Sequence, residues 1–152
     1  MKVIDGFVYI GAEAAGHGLQ IFDLRKLLTL EAPKTFSIAT DLTAHFAGFG
    51  NSHNIVANEA TEFIYAVGTA FCGNGGLFFV DVSDPTKPRN AGCAADDGYV
   101  HDAQCVVYEG PHKAYRGKEI CFGYNEDTLT IYDVTDKSKP SFPLPVTRIV
   151  LY

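Results

Sequence analysis

Between Tyr99 and Pro140, short runs of β-branched and aromatic residues alternate with clusters of turn formers. Ala103–Tyr108 (AQCVVY), Lys118–Tyr124 (KEICFGY) and Thr128–Val134 (TLTIYDV) read as three successive strands. Gly110-Pro111, Arg116-Gly117 and Asn125-Glu126-Asp127 punctuate them. An earlier stretch repeats the plan, with strands expected at His53–Asn58, Glu62–Gly68 and Gly76–Val82 and a short outer one at Arg89–Cys93. Near the start, Gly6–Gly11 and Gly18–Leu24 read as strands, and Thr35–Thr43 as an outer strand. No innermost strand is expected ahead of residue 6. Arg25–Leu30 reads as a loop with one helical turn, since Pro33 follows closely. Phe46–Ser52 is a glycine-bearing linker. A last outer strand is expected at Val146–Leu151, and Pro143 and Pro145 before it suit an edge or a loop.

Laid side by side, the two stretches align His53 with His101, Asp81 with Asp133 and Pro88 with Pro140. The Asp-to-Pro interval is the same in both (88 − 81 = 7 and 140 − 133 = 7). The His-to-Asp intervals differ (81 − 53 = 28 and 133 − 101 = 32), which the longer loop EGPHKAYRGK absorbs. Asp23 ends its strand as Asp81 and Asp133 do. These aspartates sit where a side chain can bond the backbone ahead and start a turn, so their role is read as structural. A period of about 50 residues with several short strands per unit is the mark of a β-propeller blade. The expected fold is all-β: two full four-stranded blades and a partial one in a single partial propeller domain. The blades fall at about 1–50, 51–98 and 99–152. Rings of this kind hold about 4–8 blades, so the chain is expected to be a fragment or part of a larger ring.

Composition narrows the function classes. Hydrophobic residues make up 47% and charged residues 20%, as in a folded chain. The net charge of −6, with scattered lysines and arginines, argues against nucleic acid. No apolar run approaches the roughly 20 residues of a membrane span. The start, MKVIDGFVYIG, lacks the apolar core of a signal peptide and reads directly as strand. Cys72, Cys93, Cys105 and Cys121 allow three pairings or four free thiols. Cys105 and Cys121 fall on the two strands of one expected hairpin, within bonding range across the ladder. No CxxC or HxxxH spacing suggests zinc.

The strongest candidate chemistry lies at the starts of the inner strands, His53-Asn54 and His101-Asp102. Inner strands line a propeller's axis, so two imidazoles and two oxygen-bearing side chains there could hold a metal or a polar ligand. The plainer reading has each His capping its own blade. Asp96-Asp97 with Asp102 could bind calcium or another divalent metal, though without EF-hand spacing. Ser52 and His53 are adjacent and point to opposite faces of a strand, and no GxSxG is present. Gly73–Gly76 joins two antiparallel strands, so it is no phosphate cradle. Tyr115-Arg116 in the long loop could touch a partner.

The runs SHNIVAN, CGNGGLFFVDVSDPTKP, DGYVHDAQCVVYEGP and YRGKEICFGYNEDTLTIYDVTDKSKP resemble the choice-of-anchor B family, extracellular proteins with LVIVP-type propeller repeats. The resemblance runs from about Gly6 to Pro140. It implies a secreted or surface-anchored propeller without established chemistry, so it supplies no catalytic residue. It also implies disulfides among the four cysteines, and with them an oxidising setting. Two functions are carried forward. One is an extracellular module with a binding or structural role, its partner a protein or another copy of the chain meeting exposed blade edges. The other is a metal-dependent hydrolase with an axial site of His53, Asn54, His101 and Asp102.

Overall fold

Asp5 and Gly6 both adopt positive φ, 43° and 76°, the backbone that a two-residue hairpin turn requires. They join β1 (Lys2–Ile4) to β2 (Phe7–Ile10), with Ile4 opposite Phe7 and Lys2 opposite Tyr9. The first unit therefore does have an innermost strand, contrary to expectation. The Asp-Gly pair inside MKVIDGFVYIG was the signal that one run was two strands.

In this computed structural model, residues 1–125, 127–142 and 148–150 are described. β3 (Leu19–Asp23) and β4 (Ala44–Phe46) complete the first sheet. The second holds β5 (Asn54–Asn58), β6 (Phe63–Val67), β7 (Leu77–Asp81) and β8 (Arg89–Ala94). The third holds β9 (Asp102–Val107), β10 (Glu119–Tyr124), β11 (Thr128–Asp133) and β12 (Arg148–Val150). Each is a four-stranded antiparallel meander in chain order, and helix is confined to short 3₁₀ turns at Leu24–Leu27 and Lys113–Tyr115. The fold is thus all-β and blade-like, with three four-stranded sheets in place of two and a part. Glu126 of the expected turn, Pro143, Pro145 and the ends of the strand expected at 146–151 lie outside the described residues.

Registers align the repeats residue by residue. Phe7, Phe63 and Ile120 stand opposite Asp23, Asp81 and Asp133. The residue after each aspartate donates its N–H to the carbonyl of Gly6, Glu62 or Glu119. Strand β5 lies beside both β1 and β9, so the three sheets fan from adjacent inner strands. Because the middle sheet is covered on both sides, its strand Leu77–Asp81 (LFFVD) is apolar on both faces. One core packs Tyr9, Leu19 and Ile21 of the first sheet against Ile64, Phe78 and Val80 of the second. The other packs Tyr65, Leu77 and Phe79 against Cys105, Cys121 and Tyr132 of the third. Each fully buried side chain of this size contributes about 1.5–3 kcal/mol relative to exposure.

The outer strand expected at Thr35–Thr43 forms instead at Ala44–Phe46. Asp41 is the reason. Its carboxylate accepts the Ser37 N–H at 2.7 Å, and its own N–H donates to the Ser37 carbonyl at 2.9 Å. That folds 37–41 into a turn before the ladder begins.

The cysteines form two disulfides, Cys72–Cys93 and Cys105–Cys121. Cys105 stands directly opposite Cys121 in the β9–β10 ladder, with Cα atoms 4.0 Å apart. Cys72–Cys93 ties the loop before β7 to β8. Replacing Cys105 and Cys121 together by serine removes a closure over 16 residues. This should lower the unfolding free energy by about 3 kcal/mol, read from urea melts, with the β-type circular dichroism retained.

Candidate functional site

The starts of β5 and β9 are built alike. His53 donates its backbone N–H to the Val67 carbonyl and His101 to that of Tyr124, both at 2.9 Å. These bonds extend each inner hairpin by one residue and aim both imidazoles at the same end of the fan. The ring centroids are 4.2 Å apart, tilted by 50°. Both histidines are exposed, while Ser52 is fully buried, as the alternation of sides along a strand requires. The Glu13 carboxylate, from the β2–β3 loop of the first sheet, meets His53 Nδ1 at 2.5 Å. The Tyr99 ring lies 6.3 Å from that of His101. Groups from all three sheets thus converge on one solvent-facing patch.

Asn54 and Asp102 do something different. Asn54 Nδ2 donates to Asp102 Oδ1 at 3.0 Å, across the gap between β5 and β9. Asn54 Oδ1 accepts the Ile55 N–H and Asp102 Oδ1 the Ala103 N–H, each at 2.8 Å. The pair is a clamp between sheets. Of the four residues expected at the axis, two present imidazoles and two hold each other. Among the described residues, no group of three or more His, Cys, Asp or Glu side chains is arranged to hold a metal ion. Two of the three carboxylates considered for calcium have separate partners: Asp97 accepts from Thr130 Oγ1, Asp102 from Asn54. Tyr115 and Arg116 serve their own loop, where Arg116 Nε donates to the Gly110 carbonyl at 2.8 Å and the Lys118 ammonium lies over the Tyr115 ring.

The strand-ending aspartates hold turns. Asp81 Oδ1 accepts from the N–H and hydroxyl of Ser83, and Asp84 Oδ1 does the same for Thr86. Asp133 with Thr135 and Asp136 with Ser138 repeat both steps. Burial alone would raise the Asp133 pKa. Hydrogen bonds from Lys118 and Thr135 outweigh it and hold the carboxyl below its ordinary range.

One group escaped the sequence reading. Glu119 opens β10 and is 4% exposed. Its Oε1 accepts from Asn58 Nδ2 at 2.6 Å, from Thr61 Oγ1 at 2.7 Å and from the Tyr65 hydroxyl, all on the second sheet. Its Oε2 accepts from Lys137 Nζ at 2.6 Å. Burial would raise its pKa, but the bonds from Lys137, Tyr65, Thr61 and Asn58 prevail and lower it. Burial and the Glu119 charge push the Tyr65 phenol far up. A glutamate at the head of an apolar strand, with a lysine after the next aspartate turn, was the available clue. Glu13, in a loop of alanines and glycines, carried none.

Residues 70–94 match the LVIVD repeat. The matched LVIVD repeat spans β7, β8 and both ends of the Cys72–Cys93 bridge, and LVIVD repeats occur in β-propeller-like proteins. The match concerns this repeat and not the wider choice-of-anchor B family. No curated protein and no solved structure matches the chain.

Glu119→Ala should cost roughly 3–5 kcal/mol, because Lys137 and three donors then lose a buried acceptor. The pH dependence has a definite sign. A carboxyl whose folded pKa is lowered contributes its full stability above the ordinary glutamate range. That stability drains as pH falls through the lowered value. Urea midpoints across acid pH should fall for the wild type and be flatter for Glu119→Gln.

Proposed function

We propose that the chain is an extracellular β-propeller module of the choice-of-anchor B kind, with a binding or structural role in a larger assembly. The observation that carries this is the fan of three four-stranded sheets about adjacent inner strands, matched over 70–94 by the LVIVD repeat. Its blades, at about 1–50, 51–98 and 99–152, act as one domain. Two disulfides support an oxidising compartment, outside the cell or on its surface. No helix among the described residues is long and apolar enough to cross a membrane.

The partner is another protein or a second copy, and sheet faces suit it better than outer edges. The outer strands β4 and β12 have three residues each, and β8 carries an irregularity opposite Phe79 and Val80. Short or bulged edges discourage strand addition. A hydrolase working through an axial metal finds no support in the geometry, because Asn54 and Asp102 are committed to each other.

Alkylation of native protein, followed by mass measurement with and without reduction, should show two bridges and no free thiol. Four free thiols in freshly isolated material would remove the extracellular setting. Protein purified without chelator should carry no stoichiometric metal, and EDTA should leave its melting temperature unchanged. A bound metal whose removal lowers that temperature would turn the reading toward metal chemistry at His53 and His101.

A further inference from the structure

The two sheet junctions follow one rule, and the rule points to a third. At the first junction Tyr9 packs toward the second sheet; at the second, Tyr65 packs toward the third. Glu62 and Glu119 occupy equivalent places on the receiving sheets. Tyr65 bonds Glu119 directly. Tyr9, buried and facing the charges of Glu62 and Asp5, has its phenol pushed up to about 12.

The third sheet offers the next such face. Phe122, Leu129 and Ile131 are the register equivalents of Tyr65, Leu77 and Phe79. They are only partly buried, while alternate residues Cys121 and Tyr132 are buried against the second sheet and Thr130 is buried against Asp97. At the other end of the fan, Val8, Ile10 and Phe22 of the first sheet are equivalent to Ile64, Ala66 and Val80, which pack against a preceding sheet. Gly6 stands there at the glutamate position. A third sheet set on a first sheet would therefore pair Phe122, which has no hydroxyl, with Gly6, which has no carboxylate. At that position such a contact orphans neither a hydroxyl nor a carboxylate; Gln20, on the same face beside Ile10, is the polar side chain it would still have to accommodate.

The receiving face is roofed. The β3–β4 connection runs over residues 24–43, against 82–88 between β7 and β8. It lays Phe36 edge-on against Phe22 at 4.8 Å and brings Ile38 and Leu42 over Val8 and Ile10. The roof is held by exposed polar contacts at Asp41: Lys34 Nζ at 3.1 Å, the Ser37 N–H, and Lys26 Nζ on the Asp41 carbonyl. Such solvent-screened contacts are individually weak.

We propose that the first sheet is a docking surface for the third sheet of a second copy, and that the strap formed by residues 28–43 keeps it shut. Loosening the strap opens a head-to-tail contact, which builds rings or filaments. The proposal rests on the blade geometry and not on the extracellular reading, so thiol and metal results leave it untouched.

The test is sedimentation across a concentration series. The double variant Phe36→Ala, Asp41→Ala should self-associate about tenfold or more tightly than wild type. Adding Ile131→Asp, in the third sheet, should abolish the gain. Asp41→Ala alone, whose side chain lies off the sheet, keeps the question open to measurement if the double variant does not fold. Folded strap variants that sediment as wild type overturn the proposal. So does association that Ile131→Asp leaves intact, or wild-type association through Ile131 as tight as that of the variants.

Discussion

The buried Glu119 carboxylate is the constraint on which the second and third sheets depend. Apolar packing tells two sheet faces to meet but tolerates sliding by a residue or a pleat. A carboxylate that needs Asn58, Thr61, Tyr65 and Lys137 at once does not. Any slip would strand a charge in an apolar core, a cost of several kcal/mol. The knot therefore fixes the register of one blade against the next. The Asn54–Asp102 bond at the opposite end of the inner strands fixes their relative rotation. Between these two points lies the apolar core of Tyr65, Phe79, Cys121 and Tyr132, which supplies most of the stabilisation.

What brings His53 and His101 together is a consequence of that alignment. Neither ring is held by a tailored pocket. Each leaves its strand at the same register position, and blades set side by side bring equal positions close. Glu13 joins because the β2–β3 loop ends at the same level. The patch is an outcome of repetition: the histidine is kept in both copies, while Asn54 in one and Asp102 in the other turn a repeated position into a donor–acceptor pair.

How much of this was legible beforehand follows from which interactions are local. The alternating runs, the aspartate turns and the His53–His101 equivalence were legible because strand alternation and side chain-to-backbone bonds span only a few residues. The cross-strand Cys105–Cys121 pairing was legible for the same reason. β1 was missed although its cue was local; Asp5-Gly6 was passed over inside an apolar run. Glu119 was missed because its partners lie 61, 58 and 54 residues away. Strand patterning reports which face a residue takes, not what stands across from it. The strand expected at 35–43 did not form there, although its β-branched and aromatic residues suit a strand. Asp41 commits them to a turn, and the tertiary contact of Phe36 with Phe22 then makes that turn worth forming.

The three faces that could each receive a neighbour are treated differently, and the difference is written in single residues. Where Tyr65 meets Glu119 the junction is polar and closed. Where Tyr9 faces an exposed Glu62, the same pair of residue types is present without a direct bond, so apolar packing around Phe49 and Phe78 carries the contact. Phe49, fully buried, comes from the linker between the sheets and fills what the missing polar bond leaves unspecified. At the third position the tyrosine becomes Phe122 and the glutamate becomes Gly6, so both polar partners vanish together. Loss of one alone would leave an uncompensated hydroxyl or charge at any contact there; loss of both removes that penalty from the position.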